Sequence, residues 1–170
     1  MQIPFNLPHV FTPSSSKVDN AHALRALLDC LVTLNLVYLR RHAVPGLYQS
    51  GVVYGRTYVW EPTAGLYMPN KHKKAGSIFY YPIGETGGKK RADCKSLAPC
   101  LIAEIIASGG QARPVFRFVE REDDSGLLDF HILVQTPVGW RDPSRDLGMG
   151  ANEVARFTSA QSFGFEDFRA

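Results

Sequence analysis

The chain has 170 residues, 45% of them apolar, which is enough for one domain with its own hydrophobic core. Its 19 lysines and arginines outnumber its 16 aspartates and glutamates by three, and the basic residues are scattered except in KHKK at 71–74 and KKR at 89–91. A net charge of +3 without a clustered basic stripe argues against a nucleic-acid-binding surface. We therefore expect one compact domain and no nucleic-acid partner.

The first sixteen residues contain three prolines and three serines but no lysine or arginine. They lack the basic start and the continuous apolar run of a signal peptide, so we expect the chain to stay in the cytoplasm of the cell that makes it. Their composition predicts an extended arm over residues 1–16 whose order depends on a partner.

Apolar residues at helical spacing follow over positions 24–39, and Pro45-Gly46 stops the pattern. Since aspartate and asparagine are good N-caps, we predict a long core helix that starts at Asp19 or Asn20 and ends at Arg41. Its apolar window contains charged and amide side chains and is shorter than the ~20 apolar residues that cross a bilayer, so no membrane span is expected.

A second helix is predicted to start at Cys94, with Asp93 as its N-cap and Ser108-Gly109-Gly110 at its end. The residues that form its apolar stripe are Cys94, Leu97, Ala98, Leu101, Ile102 and Ile105. Pro99 lies inside this pattern and removes a backbone donor, so we expect the first turns to bend.

Residues rich in β-branched and aromatic side chains predict the strands. They occur at 51–60 and 77–84, then at Arg113–Glu120, at 127–135 and from Gly139 onwards. The order of helix, helix and antiparallel meander predicts an α+β fold in which the N-terminal helix and the Cys94 helix pack on the sheet.

The domain is expected to span residues 17–150. The residues after it, 151–170, are polar and aromatic and are predicted to form a peripheral tail.

Cys94 has two interpretations. At the first helical position, unpaired N–H groups and the helix dipole favour a thiolate. Equally, Cys94 belongs to the apolar stripe, and most free cysteines are simply packed. Cys30 and Cys100 are expected to be core or inert, and all three thiols to be free, because six helical residues separate Cys94 from Cys100 by about 9 Å of rise. Neither the cysteines nor the histidines show metal-ligand spacing, so no metal or cofactor is expected.

A histidine and an aspartate downstream are candidate partners for the thiol. His131 shares a strand face with Asp129, Leu133 and Gln135, the less apolar side, so we expect its imidazole to face a cleft. After the turn TPVG the chain returns on the neighbouring strand and brings Asp142 to within a pair or two of His131. A carboxylate in that place orients an imidazole for base catalysis. The alternatives are an ordinary hydrogen-bonded strand histidine and an Asp-Pro turn residue.

A cysteine at a helix start, a histidine on a strand and an aspartate on the next strand resemble the transglutaminase-like superfamily of papain-type cysteine enzymes, and its bacteriophage branch in particular. The stretches that carry the resemblance are LYQSGVVY at 47–54, ADCKSLAPCLIAEIIASGG at 92–110, DFHILV at 129–134 and GWRDPSRDLGM at 139–149, of which the last is the most specific. The sequence departs from that family in Ala92, where a glycine is usual, and in Lys95-Ser96, where acidic residues are usual.

The resemblance implies a catalytic triad in which Cys94 is the nucleophile, His131 is the general base and then acid, and Asp142 holds the imidazole. It implies acyl transfer by a peptidase or amidase on a peptide or protein substrate, with the backbone N–H of Cys94 as first oxyanion donor and without cofactor or metal. The same triad permits cross-linking, in which a lysine amine replaces water.

A structural role remains open beside catalysis. Phage proteins of this type are often built into particles, as parts of a head, neck or tail. In that alternative the segments 1–16 and 151–170 dock on other phage structural proteins, and the chain passes from the host cytoplasm into the virion.

Overall fold

The computed structural model describes residues 3–6, 17–55, 77–80, 91–120, 128–159 and 162–164. The helices are α1 (Lys17–Arg41), α2 (Cys94–Ala107), α3 (Pro143–Asp146) and α4 (Ala151–Thr158), and a short 3₁₀ helix spans Leu47–Gln49. The strands are β1 (Ile3–Asn6), β2 (Val53–Tyr54), β3 (Ser77–Tyr80), β4 (Arg91–Ala92), β5 (Arg113–Glu120), β6 (Leu128–Thr136), β7 (Gly139–Arg141) and β8 (Phe163–Gly164). Together they form the α+β fold that the element order predicted.

The main sheet has four antiparallel strands in the order β7-β6-β5-β8. Strand β5 has the predicted bounds, and β6 runs one residue beyond the predicted Gln135. Strands β1 and β3 form an antiparallel pair of their own, and β2 and β4 form a short parallel pair. The remaining residues that the sequence predicted as extended, 56–60 and 81–84, lie outside the described residues.

Helix α1 is two or three residues longer at its start than predicted. It begins at Lys17, so the predicted N-caps Asp19 and Asn20 lie inside it. Its buried leucines, Leu24, Leu28 and Leu31, belong to the core that α1 shares with α2. Cys30 points away from that core and is exposed, so it is not a core residue, and its expected inertness stays a prediction. Of the helices that the structure describes, none combines the length and apolar character of a membrane span.

Helix α2 packs against α1 and against strands β5 and β6. Every residue from Cys94 to Ala103 is buried, including Lys95 and Ser96, which lie outside the predicted apolar stripe. The helix starts at the predicted residue, continues through Pro99 and ends at Ala107. Gly109 follows with a φ of 83°, a left-handed conformation that a glycine adopts without strain.

The segment after residue 150 differs from the peripheral tail that the sequence predicted. Helix α4 contacts β5, and Phe157 on it is buried. Strand β8 pairs with Phe118 and Arg117 as the fourth strand of the main sheet. Residues 151–159 and 162–164 therefore belong to the domain, because Phe157 packs against His131 on β6 and the free edge of β5 pairs with β8. Of the predicted arm over 1–16, the structure describes only β1.

Candidate active site

His131 and Asp142 meet at the β6–β7 hairpin. The two-residue turn between β6 and β7 pairs Val134 with Arg141, which brings the next residue, Asp142, towards His131. His131 Nε2 lies 3.0 Å from Asp142 Oδ2, a hydrogen-bond distance. The approach that the hairpin register predicted is therefore observed.

The two oxygens of the Asp142 carboxylate have separate partners. Oδ2 faces His131, whereas Oδ1 accepts hydrogen bonds from the backbone N–H of Ser144 at 3.0 Å and of Arg145 at 3.1 Å. Asp142 is thus also the N-cap of α3, the role expected of an Asp-Pro turn residue. One carboxylate makes both sets of contacts, since each uses a different oxygen.

Cys94 occupies the first position of α2, where its backbone N–H has no carbonyl partner within the helix. The helix is capped by Asp93, whose Oδ1 accepts from the N–H of Lys95 at 3.1 Å. The side chain of Cys94 lies close enough to His131 to raise the pKa of the imidazole. Because Nε2 of His131 faces Asp142, Nδ1 is the ring nitrogen left for the thiol. The three residues predicted from the sequence therefore lie close together.

The site is closed in this structure. The exposed fraction is 8% for Cys94, 1% for His131 and 5% for Asp142. The expectation that His131 faces an open cleft is therefore wrong. Part of the cover comes from α4, where the ring centroid of Phe157 lies 5.2 Å from that of His131.

The charges of the three residues favour an imidazolium at His131. Burial by itself lowers the pKa of His131, but the hydrogen bond to Asp142, followed by the bond to Cys94, raises it from 6.5 to about 10. Burial raises the pKa of the Asp142 carboxyl, but the bond to His131 and the N–H groups of Ser144 and Arg145 outweigh it and hold that pKa below its usual range. The pair is thus arranged to keep Asp142 ionised and His131 protonated.

A buried ion pair flanks the nucleophile candidate. Lys95 Nζ lies 2.5 Å from Asp93 Oδ2, and the side chains of these residues are only 5% and 10% exposed. The sequence showed the two charges on either side of Cys94 but did not indicate that both are buried. A buried charge is tolerated when a partner is close, so each of the two stabilises the other.

Tyr54 is a further residue at the site, and sequence reasoning missed its role. It lies opposite Ala92 in the β2–β4 pair, and its hydroxyl donates to Glu153 Oε1 at 2.7 Å. Burial, then the nearby charge of Cys94, then the bond to Glu153 raise the pKa of Tyr54 well above its ordinary value. Tyr54 belongs to the stretch LYQSGVVY, whereas no sequence signal pointed to Glu153 or Phe157 on α4.

Within the described part of the chain, no group of three or more histidine, cysteine, aspartate or glutamate side chains is placed to hold a metal ion. Comparisons with protein-family models, with curated proteins and with solved structures found no match to this chain. A thiol can lose its proton to a neighbouring imidazole and become a nucleophile. A carboxylate that is hydrogen-bonded to the same imidazole favours this transfer.

Proposed function

We propose that this chain is a transglutaminase-like cysteine enzyme of the bacteriophage type, a peptidase or amidase that works through a covalent acyl-enzyme. The observation that carries the proposal is the buried hydrogen bond between His131 Nε2 and Asp142 Oδ2, 3.0 Å long. Cys94 is buried at the start of α2, close enough to His131 to raise its pKa. A cysteine at the start of a helix packed on an antiparallel sheet, with the histidine on one strand and the aspartate after the next, supports a transglutaminase-like or papain-like fold.

In this proposal the thiol proton already rests on Nδ1 of the His131 imidazolium, and the Cys94 thiolate attacks an amide carbonyl. The negative charge on the carbonyl oxygen is stabilised by the backbone N–H of Cys94, which lies at a helix start. The imidazolium then gives its proton to the leaving amine, and an acyl-enzyme remains. Asp142 keeps the ring oriented and stabilises its positive charge throughout.

Water or an amine completes the reaction by attacking the acyl-enzyme. His131, now neutral, accepts a proton from that nucleophile, and the restored thiolate leaves as the acyl group is transferred. Release by water makes the enzyme a peptidase or amidase, whereas release by a lysine amine makes it a cross-linking enzyme. The triad is the same in both cases.

One observation favours a second candidate, a structural virion component without activity. The three triad residues are at most 8% exposed, as is usual for side chains that serve the stability of a core. In that candidate the hydrogen bonds of His131 and Asp142 serve the stability of a head, neck or tail protein. The two candidates differ in whether Cys94 forms a covalent bond with an acyl donor.

Acylation by p-nitrophenyl acetate tests the proposal. We expect a burst of about one p-nitrophenolate per chain, with the acetyl group on Cys94 by peptide mapping. The Cys94→Ala variant, which leaves Cys30 and Cys100 in place, should show no burst. If the folded wild-type chain is not acetylated at Cys94, the enzyme proposal is wrong and the structural role is favoured. Added glycine ethyl ester then separates the two enzyme reactions, because only an aminolysing enzyme transfers the acetyl group to it.

A further inference from the structure

An arginine and a tryptophan form an exposed pair on the main sheet. The guanidinium carbon of Arg117, on β5, lies 5.0 Å from the ring centroid of Trp140, on β7. Trp140 is 46% exposed, and Val138 beside it at the hairpin tip is 97% exposed. A tryptophan that keeps nearly half its surface in water while it holds a guanidinium is placed to contact a ligand.

The pair shares a sheet face with His131. Arg117 lies directly opposite His131 in the β5–β6 register, and opposed residues of antiparallel strands point to the same face. Trp140 lies opposite Gln135, which shares that face with His131 because the two are an even number of residues apart. The sheet therefore presents Arg117 and Trp140 on the face from which His131 projects.

The guanidinium of Arg117 has no carboxylate partner among the residues that the structure describes. This differs from Arg25, Arg145 and Arg156, each of which has an aspartate within 3.1 Å. Arg117 is partly buried, and its stacking on Trp140 limits its rotamers. A planar guanidinium held in this way has its donors in place for a two-point hydrogen bond to a carboxylate.

We propose that Arg117 and Trp140 form a carboxylate-binding subsite beside His131, and that the substrate is a peptide with a carboxylate close to the amide that reacts. The role in substrate recognition rests on the proposed function, whereas the binding of a carboxylate does not. Two kinds of carboxylate fit such a subsite: the C-terminal carboxylate of a peptide and the carboxylate of an acidic side chain. The shared feature is a planar anion flanked by a short apolar chain that contacts the indole.

Three small ligands test the binding and separate its sources. N-acetylglutamine carries only a terminal carboxylate, N-acetylisoglutamine only a side-chain carboxylate, and N-acetylglutaminamide neither. Their effect is read from the fluorescence of Trp140 in a Trp60→Phe variant, and calorimetry on the unaltered chain reports the same binding without a substitution. We expect a saturable change with one or both acids and none with the diamide. Absence of saturable binding by both acids overturns the proposal.

The matched control is Arg141, the residue after Trp140, whose guanidinium carbon lies 5.5 Å from the ring centroid of Tyr48. Arg141→Gln removes the same charge from a similar stacked pair, with its side chain on the other face of β7. Arg117→Gln should weaken acid binding by roughly tenfold or more, the effect of losing a hydrogen bond to a charged group, and Arg141→Gln should not. Equal losses in both variants would mean a general charge effect and would overturn the subsite.

Labelling of Cys94 tests the position of the subsite. The acid that binds better and the diamide are both prepared with an iodoacetyl group in place of acetyl. We expect the acid to alkylate Cys94 roughly tenfold faster than the diamide, and Arg117→Gln to remove the difference. Carboxylate binding without this preference overturns the role in substrate recognition. If neither reagent labels Cys94 while the carboxylate still binds, the proposed function fails and the carboxylate subsite stands.

Discussion

The two long helices, α1 and α2, carry similar amphipathic patterns but have different surroundings. Helix α1 buries one side through its leucines and leaves Cys30 and the Arg25–Asp29 ion pair on the outside. Helix α2 is buried on every side over its first ten residues, because α1 and the main sheet both pack against it. The same residue types, a cysteine and a pair of opposite charges, are therefore in water on α1 and in the protein interior on α2.

The comparison shows that the position of an ion pair in the fold, rather than its residue types, determines how strongly the two charges interact. The side chains of Arg25 and Asp29 are 27% and 54% exposed, so their attraction is screened by water. Those of Lys95 and Asp93 are 5% and 10% exposed, and Cys94 lies between them in the sequence. In such a low-dielectric setting, the loss of one charge leaves the other buried without the attraction of its partner.

The largest expected effect concerns the reactivity of the two thiols. Asp142→Asn should slow alkylation of Cys94 by iodoacetamide by about 10²- to 10⁴-fold and leave Cys30 unchanged. The amide oxygen must keep accepting from the N–H groups of Ser144 and Arg145, so the amide nitrogen faces Nε2 of His131. Nε2 then becomes an acceptor, the ring proton moves to Nδ1, and Nδ1 cannot take the thiol proton.

Peptide mapping of the alkylated protein gives the rate for each cysteine, and exposed Cys30 serves as the internal control. The asparagine of the Asp142→Asn variant keeps the N-cap of α3, so the melting temperature should change little. If Cys94 reacts equally fast in both proteins, Asp142 serves only the cap. If Cys30 is alkylated faster than Cys94 in the wild type at neutral pH, exposure rather than the histidine partner determines thiol reactivity. That result would contradict the proposed difference between the two helices.

The second effect concerns the two ion pairs. Lys95→Met should lower the free energy of unfolding by about 3–5 kcal/mol, since it leaves the Asp93 carboxylate buried without its ammonium. The matched change on α1 is Asp29→Asn, because Arg25 also donates to the carbonyl of Pro114 at 3.2 Å and its loss would remove that bond too. Asp29→Asn should cost less than about 1 kcal/mol. Urea denaturation measures both.

A double variant checks the physical reason for this difference. Asp93→Asn with Lys95→Met removes both buried charges and keeps a side chain that can cap α2, so it should recover most of the stability lost in Lys95→Met. Similar losses for Lys95→Met and Asp29→Asn would show that burial does not distinguish the two pairs.

A smaller effect is expected in the pH dependence of stability. The pKa of His131 rises from 6.5 to about 10 on folding, so the folded chain binds more protons than the unfolded chain between these values. The stabilisation is complete below about 6.5 and is lost as the pH rises to about 10. Urea denaturation across this range should show the decline, and His131→Asn should flatten it. A wild-type profile no steeper than that of the variant would contradict the protonation of His131.

The smallest expected effect is that of the N-terminal arm. A chain that starts at Lys17 should have a melting temperature close to that of the full chain, because among the described strands β1 pairs with β3 and lies outside the main sheet. As a contrast, a chain that ends at Gly150 should lose much more stability, since it lacks α4 and β8. Thermal unfolding followed by circular dichroism compares the three chains, and a large loss on removal of the arm would place residues 1–16 in the core.

Several parts of the site could be predicted because short-range signals decide them. Asp93 before an apolar pattern predicts the start of α2 at Cys94, since a capping side chain acts on the adjacent helical turn. The two-residue turn between β6 and β7 sets their register, and the register brings Asp142 to His131. The α+β class follows from the order of these elements.

The sequence by itself therefore determined the start and the cap of α2 and the pairing of β6 with β7, and so which three side chains can meet. Only the tertiary structure decided that Cys30 is exposed, that Lys95 is buried and that Phe157 covers His131. Burial depends on which helices and strands pack on each face, and these elements are distant in the sequence. A local pattern of residues does not specify them. For this reason the partners of the site could be named from the sequence, whereas its closure and its buried charges could not.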